Sequence, residues 1–328
     1  MTAVAPAVLG VGRSRLGLPR LGFGAAAQGN LFAELDPADA RAAVDAAWDA
    51  GVRLFDTAPH YGLGLSERRL GAALAGRPRD EYFLSTKVGR LLRPSPSTAH
   101  RRDDMGFAVA ADVARVWDAS DAGIRTSLAE SLERLGHDRV DALYLHDPEE
   151  HGLESSLETA LPAMAALRAE GIVRAVGVGS KSVDALRAAV ATGLVDVVML
   201  AGRYTLLEQP ALRDLLPECV AAGVEVVAVG VYNSGALSSP VPRGDLPYEY
   251  GEMPELVLDR LRTLAEVCWG HGVELPAAAL QYPLRHEAVT SVVIGARTAE
   301  QIAENVARFT TEVPDALWRD LQDRGLIP

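Results

Sequence analysis

The amino-acid sequence predicts a (β/α)8 barrel, an α/β fold in which a parallel sheet closes on itself inside a layer of helices. The first observation is an alternation of short apolar or β-branched runs with helical patterns, and there are eight such runs. The second is that several runs are apolar throughout, as is typical of parallel strands buried on both faces. Eight units in 328 residues fit a closed barrel, so we expect residues 1–328 to form one domain.

An open, doubly wound sheet is the alternative arrangement of alternating strands and helices. Its dinucleotide-binding fingerprint, GxGxxG after the first strand, is absent from this chain. The nearest approach, LGLPRLGFGAAAQG at 16–29, leads into a polar loop instead of opening a helix. The sequence therefore favours the closed barrel.

Each predicted element has its own signal. The strands, in chain order, are the apolar runs at 21–26, 52–56, 82–87, 141–146, 173–179, 195–200, 224–231 and 291–296. Asp36 is a helix N-cap followed by Pro37 at the first helical position, and the helical pattern then stops at Gly51. Two later helical patterns stop in the same way at Gly136 and Gly171.

Three segments fall outside the alternation. Residues 7–18 resemble a short β-hairpin that precedes the first barrel strand and plugs one end of the barrel. Residues 89–118 and 233–253 are long connections rich in Pro, Ser, Arg and Asp, without regular periodicity. Such loops in a compact domain are either functional covers or disordered segments, and we expect them to lie over the active site.

Composition excludes several classes of function. No apolar run approaches the ~20 residues that span a bilayer, and the N-terminus has no secretory signal pattern. A net charge of -12 disfavours nucleic acid as a partner, because such binding depends on clustered Lys and Arg. Cys219 and Cys268 have neither CxxC spacing nor a histidine-rich neighbourhood, so we expect reduced thiols, no metal and a cytoplasmic location.

Ionisable residues stand at the ends of three predicted strands. Asp56 ends the second strand, Lys87 the third and His146 the fourth, and Tyr61 lies in the loop after the second. In a (β/α)8 barrel, residues that act on ligands lie at the C-terminal ends of strands, where the loops converge. The sequence therefore places these side chains side by side on one rim.

This set of residue types can move a proton at a substrate oxygen. A tyrosine with an ordinary pKa of about 10 is a poor acid or base near neutrality, but an adjacent ammonium lowers that pKa. Asp56 would hold Lys87 charged and in position, and a neutral His146 would orient a carbonyl or hydroxyl oxygen. Each residue alone could be a cap or an ion pair. Together they predict a proton relay that accompanies hydride transfer at the adjoining carbon.

The motifs around these residues resemble the aldo-keto reductase superfamily. GVRLFDTAPHYGLGLSERRLGAAL is similar to the family's signature around its aspartate and tyrosine, STKVG to its lysine strand and DALYLHDPE to its histidine strand. SVVIGARTAEQIAENV resembles its adenosine-binding segment. The resemblance implies that Tyr61 is the general acid or base, that Lys87 lowers its pKa, and that His146 orients the substrate oxygen.

The resemblance also implies a nicotinamide cofactor, NAD or NADP, extended across the barrel mouth. Gly24 and Asp56 would approach its nicotinamide ribose, 233–237 its pyrophosphate and 295–305 its adenosine. The residues expected to bind it are Gly24, Asp56, Ser180, Tyr232, Asn233, Ser234, Gly235, Leu237, Gly295, Arg297, Gln301 and Asn305.

The chain departs from the family pattern in its cofactor segments. Ser180 stands where many members have Ser-Asn to hold the carboxamide, and Ala201 stands where many have glutamine. The aromatic residue that stacks on nicotinamide corresponds to Val229 or Tyr232.

A second departure concerns the 2'-phosphate of NADP. Gln301 replaces an arginine found in NADP-preferring members, which favours NAD. Arg297 could bind a 2'-phosphate instead, or it could be an ordinary loop arginine.

Within the superfamily, AGRYTLLEQPAL and VYNSGAL are most similar to bacterial sugar 1-dehydrogenases of the D-threo-aldose and L-fucose type, with pyridoxal 4-dehydrogenases nearby. This implies oxidation of an anomeric hydroxyl to a 1,5-lactone. Oxidation of pyridoxal, general aldehyde or ketone reduction, and a non-catalytic regulatory role are the alternatives. His60, Trp117 and Arg203 could contact a sugar or aldehyde substrate, or could pack the loops.

Overall fold

The computed structural model describes residues 9–249 and 251–328 and confirms the predicted barrel. Eight parallel strands close in the order β1-β2-β3-β6-β7-β8-β9-β10, with β10 returning to β1. They are β1 (Leu21–Gly24), β2 (Leu54–Asp56), β3 (Phe83–Val88), β6 (Ala142–His146), β7 (Ala175–Ser180), β8 (Val197–Ala201), β9 (Glu225–Val229) and β10 (Val289–Gly295). Each lies within or overlaps one of the predicted runs, and the open-sheet alternative is wrong.

Helices cover the outside of the barrel. They are α1 (Pro37–Asp49), α2 (Leu65–Leu74), α3 (Asp121–Leu135), α4 (Leu153–Ala169), α5 (Val183–Ala191), α6 (Leu215–Ala222), α7 (Glu255–Gly270), α8 (Leu275–Gln281), α9 (Ala299–Thr310) and α10 (Asp315–Asp323). The predicted cap is present, because Asp36 accepts a hydrogen bond from the Ala38 amide at 2.7 Å. Gly136 ends α3 in the left-handed conformation (φ 66°), which glycine adopts without steric cost.

The segment before β1 closes the N-terminal end of the barrel. Residues 7 and 8 of the predicted hairpin lie outside the described residues, and the rest forms one antiparallel bridge, Val11 to Pro19. Leu18 packs into the interior cluster with residues such as Leu54 and Phe83. The buried carboxylate of Glu225 accepts hydrogen bonds from Ser14 Oγ and from backbone amides of the same segment.

The long connection 89–118 contains regular structure that the sequence analysis did not predict. Strands β4 (Arg90–Pro94) and β5 (Val113–Trp117) pair antiparallel, with Arg90 opposite Trp117. The loop between them reaches the turn after β1, where Phe32 donates its amide hydrogen to Gly106 at 2.8 Å. The β4–β5 hairpin is thus an ordered arm fixed to the barrel mouth.

No helix among residues 9–249 and 251–328 is both long enough and apolar enough to cross a bilayer. Cys219 and Cys268 are buried free thiols, and burial raises the pKa of each to about 12.

Candidate active site

The predicted strand-end residues lie on neighbouring strands. β2 pairs with β3, and β3 with β6, so the ends carrying Asp56, Lys87 and His146 are adjacent on the rim. All three are buried, with 3%, 2% and 8% of their surface exposed. The structure therefore brings these three residues together, as the sequence predicts.

Asp56 and Lys87 form a buried ion pair. Lys87 Nζ donates to Asp56 Oδ2 at 2.6 Å and to the Thr57 carbonyl at 3.0 Å, while Ser85 Oγ donates to Asp56 Oδ1 at 2.8 Å. Burial acts to lower the pKa of Lys87, but Asp56 and Tyr61 raise it above its ordinary value. The lysine is therefore a fixed positive charge.

Tyr61 lies over this charge, with Lys87 Nζ 4.8 Å from the centre of its ring. Close backbone packing fixes the loop. A Cβ on Gly29 would lie 2.6 Å from the Tyr61 carbonyl carbon, and Gly62, with a φ of 60°, would meet Gly29 in the same way. Burial raises the pKa of Tyr61, and the charge of Lys87 opposes that rise. The phenol is thus protonated at neutral pH.

His146 and His60 complete the surroundings of the phenol. Their ring centres lie 5.7 Å and 6.0 Å from that of Tyr61, and 5.5 Å from each other. Burial and nearby cations lower the pKa of His146 well below its ordinary value and that of His60 to about 3. Both imidazoles are therefore neutral and can donate or accept a hydrogen bond from a substrate oxygen.

The β4–β5 hairpin contributes residues that the sequence analysis missed. Phe107 packs 5.4 Å from His60 and 6.1 Å from Tyr61, between ring centres. Arg115 donates to the His60 carbonyl at 2.9 Å and forms a buried ion pair with Asp103. The available signal was Arg115 inside the otherwise apolar run VARVW, whose residues alternate between partly buried and exposed in β5.

Arg90 and Asp147 were also missed as members of the site. Arg90 is buried, and its guanidinium donates twice to Asp147 Oδ2, at 3.3 Å each, and to Glu150 at 2.7 Å. Asp147 Oδ2 in turn lies 3.4 Å from His146 Nε2. An arginine inside the short run KVGRLL, directly after the lysine strand, was the signal in the sequence.

Two predicted substrate residues have protein partners. Trp117 stacks on His151, with ring centres 4.2 Å apart and planes at 14°. Arg203 is ion-paired with Glu208 at 3.2 Å and Glu249 at 2.8 Å, which ties the loop after β8 to the 233–253 segment. His60 is the one of the three that lies against Tyr61.

The residues expected at the cofactor fit an extended ligand that the backbone approaches closely. Gly24 pairs with Gly295 on one side and with Asp56 on the other, so backbone without side chains lies beside the Asp56–Lys87 pair. Asn233 and Ser234 have φ values of 46° and 59°, a conformation that costs energy outside glycine and is concentrated at ligand sites. Asn233 Oδ1 is buried without a hydrogen-bond partner in the described part of the chain.

The remaining cofactor candidates are engaged within the protein. Ser180 Oγ donates to Glu149 and accepts from the Ser182 amide, and Tyr232 donates to Asn305 at 3.0 Å. Leu237 and Gly235 lie in the same turn as the left-handed residues.

Arg297 donates to the carbonyls of Leu31, Ala33 and Glu34 at 2.8, 3.1 and 2.9 Å. Gln301 accepts the Arg297 amide hydrogen at 2.7 Å, so both side chains brace the segment before α9.

A closed barrel with a buried lysine–aspartate pair under a tyrosine is typical of (β/α)8 oxidoreductases that transfer hydride without a Rossmann fold. The model of the aldo/keto reductase family matches residues 20–323, and the chain belongs to that family. It is therefore an oxidoreductase of a family that uses NAD(P)H.

Known proteins are similar over nearly the whole chain. A D-threo-aldose 1-dehydrogenase from a Pseudomonas species is 50% identical over 330 residues, which cover 100% of this chain and 99% of the relative. A pyridoxal 4-dehydrogenase from Microbacterium luteolum is 37% identical and covers 97% of each chain. The holo form of an aldo-keto reductase from Bacillus halodurans has a TM-score of 0.73 and 28% identity, over 97% of this chain and 95% of that one.

Proposed function

We propose that this protein is an NAD(P)-dependent dehydrogenase that oxidises the anomeric C1 hydroxyl of an aldose to a 1,5-lactone. The observation that carries the chemistry is the buried charge of Lys87, paired with Asp56 at 2.6 Å and lying 4.8 Å from the Tyr61 ring. The sugar class is supported by the 50% identity to a D-threo-aldose 1-dehydrogenase.

The proposed roles follow from the positions of the side chains. In oxidation, the small phenolate fraction of Tyr61 takes the proton of the C1 hydroxyl. Burial keeps most of the phenol protonated near neutrality, and the ammonium of Lys87 offsets part of that effect by stabilising the phenolate. Neutral His146 donates a hydrogen bond that orients the same oxygen, and Phe107 excludes water from the tyrosine. A nicotinamide cofactor held at Gly24, Gly295 and Asn233 would supply the acceptor for the hydride that leaves C1.

NAD is the proposed cofactor. The guanidinium of Arg297 is already bonded to three backbone carbonyls, and Gln301 carries no charge to offer a 2'-phosphate. The residues that would hold the cofactor are Gly24 and Gly295 at the rim and Asn233, whose buried Oδ1 has no hydrogen-bond partner within residues 9–249 and 251–328.

Two other functions are supported by specific observations. The pyridoxal 4-dehydrogenase relative, at 37% identity, supports oxidation of a cyclic hemiacetal that is not a sugar. The raised pKa of Tyr61 favours a protonated phenol, which is the acid needed for reduction of an aldehyde or ketone. A regulatory role without catalysis is disfavoured, because it would not require the buried Lys87 charge.

One assay separates these functions. The purified protein is offered L-fucose, D-arabinose, L-galactose and pyridoxal, each with NAD⁺ and with NADP⁺, and the absorbance of reduced cofactor is followed. We expect turnover of at least one aldose, faster with NAD⁺. Turnover of pyridoxal alone would support the second function. Oxidation of none, together with rapid reduction of simple aldehydes, would overturn the sugar-dehydrogenase proposal.

A further inference from the structure

We infer that Asp147 is a specificity-determining residue. Held by Arg90 beside His146, its carboxylate accepts a hydrogen bond from a substrate hydroxyl next to the reacting carbon. It thereby selects polyhydroxylated substrates over plain alcohols and aldehydes. The inference rests on the proposed function only in placing the reacting carbon at Tyr61 and His146.

The backbone places Asp147 at the rim. It follows the last residue of β6, and its amide donates to Gly179 of β7 at 2.9 Å. Its φ of 48° is left-handed, a conformation that aspartate tolerates better than most residues but that still costs energy. Strained backbone of this kind persists where surrounding contacts enforce it and is concentrated at ligand sites. Here it turns the chain directly after His146.

The side-chain hydrogen bonds of Asp147 all end on one of its two carboxylate oxygens, Oδ2. Both donors of Arg90 and the close approach of His146 Nε2 end on Oδ2. Oδ1 has no hydrogen-bond partner within the described ranges, and a quarter of the side chain is exposed (25%), against 10% for His146. A carboxylate can accept about four hydrogen bonds. Acceptor capacity is therefore left over beside the catalytic imidazole.

The cluster holds more negative charge than Arg90 needs. Glu150 already pairs with Arg90 at 2.7 Å, so neutralisation of this guanidinium does not require Asp147. Glu149 adds a third carboxylate, and its Oε2 is buried without a partner among the described residues. With Glu150 occupied by Arg90, the acceptors left over are those of Asp147 and Glu149, which suits a ligand that carries several hydroxyl donors.

The same surroundings give a pH signature. Burial raises the pKa of Asp147 to about 6, with Glu150 and Glu149 adding to the rise and Arg90 opposing it. The titratable and charged groups around it are Arg90, His146, Glu149, Glu150 and Tyr61. The charge of Asp147 in turn raises the pKa of Tyr61. Because the raised pKa leaves Asp147 protonated below pH 6, its acceptor strength is present above that pH and is lost below it.

The test compares two aldehydes of equal length, glyceraldehyde with two extra hydroxyls and propanal with none, as substrates for reduction by the full-length protein. For Asp147→Asn we expect kcat/KM for glyceraldehyde to fall about 10- to 100-fold, the range of a hydrogen bond to a charged group. For propanal it should stay within about 3-fold. The matched control is Glu150→Gln, which removes the same charge from the same arginine and should leave both substrates within about 3-fold.

Equal losses on the two aldehydes, or equal effects of the two variants, would overturn the inference. If Asp147→Asn does not fold, Asp147→Glu keeps the charge and displaces it by one methylene, and the same selective loss is expected. In the parent protein the glyceraldehyde-to-propanal ratio should fall below pH 6, and this fall should vanish in Asp147→Asn. A parent that oxidises no aldose but shows this selectivity would contradict the proposed function and support the inference.

Discussion

Buried aspartates lie at both ends of the barrel, and their partners differ in kind. At the N-terminal end, Asp141 precedes β6 and accepts from Arg79 at 2.6 Å, from the Leu84 amide at 2.9 Å and from Arg174 at 3.3 Å. At the C-terminal end, Asp56 is the last residue of β2 and has one charged partner, Lys87, which itself lies against Tyr61.

We propose that this difference separates a structural charge, on Asp141, from a functional charge at the barrel mouth. The partners of Asp141 connect the starts of β3, β6 and β7, and its two arginines are more exposed than Lys87. The partner of Asp56 is more buried and holds a charge next to a protonated phenol. Neighbouring polar atoms at the mouth, His60 Nδ1 and Asn233 Oδ1, lack partners in the described part of the molecule. Asp56 and Asp141 are similarly buried, but at the mouth some buried hydrogen-bonding groups are left without protein partners among the described residues.

The largest expected effect is a loss of turnover caused by a substitution at the barrel mouth. Tyr61→Phe removes the proton donor or acceptor, so we expect turnover to fall about 100- to 10,000-fold, the usual contribution of general acid–base catalysis. Cofactor affinity, measured by quenching of protein fluorescence, should stay within about 3-fold.

The matched control is Tyr82→Phe, because the Tyr82 hydroxyl also has a histidine partner, His137 at 2.6 Å, but lies outside the site. Loss of one hydrogen bond should lower the free energy of unfolding by about 1 kcal/mol and leave turnover unchanged. Full turnover by Tyr61→Phe would show that the proposed proton relay does not operate.

The next prediction compares the loss of buried charge at the two ends of the barrel. Asp141→Asn leaves the guanidinium of Arg79 under-compensated, so the free energy of unfolding should fall by about 3 kcal/mol while kcat stays within about 3-fold. The double variant Asp56→Asn, Lys87→Met removes both charges at the mouth. Its stability should change by less than about 2 kcal/mol, because neither charge is left unpaired, but its turnover should fall at least about 100-fold. Urea unfolding measures the stability of each variant, and steady-state kinetics measures its turnover. Loss of turnover in Asp141→Asn, or loss of stability without loss of turnover in the double variant, would contradict the distinction between a structural and a functional charge.

The sequence was sufficient for the barrel and for the strand-end residues, because strand ends can be read from local patterns. Asp56, Lys87 and His146 each end an apolar run, and parallel strands bring such ends together. The same rule separates Asp56 from Asp141, since Asp56 ends its predicted run and Asp141 begins its own.

The contacts that shape the mouth could not be predicted in the same way, because they join distant parts of the chain. Arg115 reaches the His60 carbonyl across 55 residues, and Arg90 reaches Asp147 across 57. Neither of these sequence separations can be inferred from the periodicity of the apolar residues. The β4–β5 hairpin was also missed because its short strands are separated by a long polar stretch, which indicated a loop.

The smallest expected effect concerns Arg297, which joins the segment before α9 to 31–34 at the barrel mouth. Since its donors are used by carbonyls, Arg297→Ala should raise the Kd of NAD⁺ and of NADP⁺ by a similar factor, at most about 10-fold, through loosening of that turn. Calorimetric titration with each cofactor measures the ratio. Gln301→Ala is the control, because it removes a neutral brace of the same segment. A selective loss of NADP⁺ affinity would instead mean that Arg297 leaves the carbonyls to bind the 2'-phosphate. Arg297 would then be a ligand-binding residue and not a structural one.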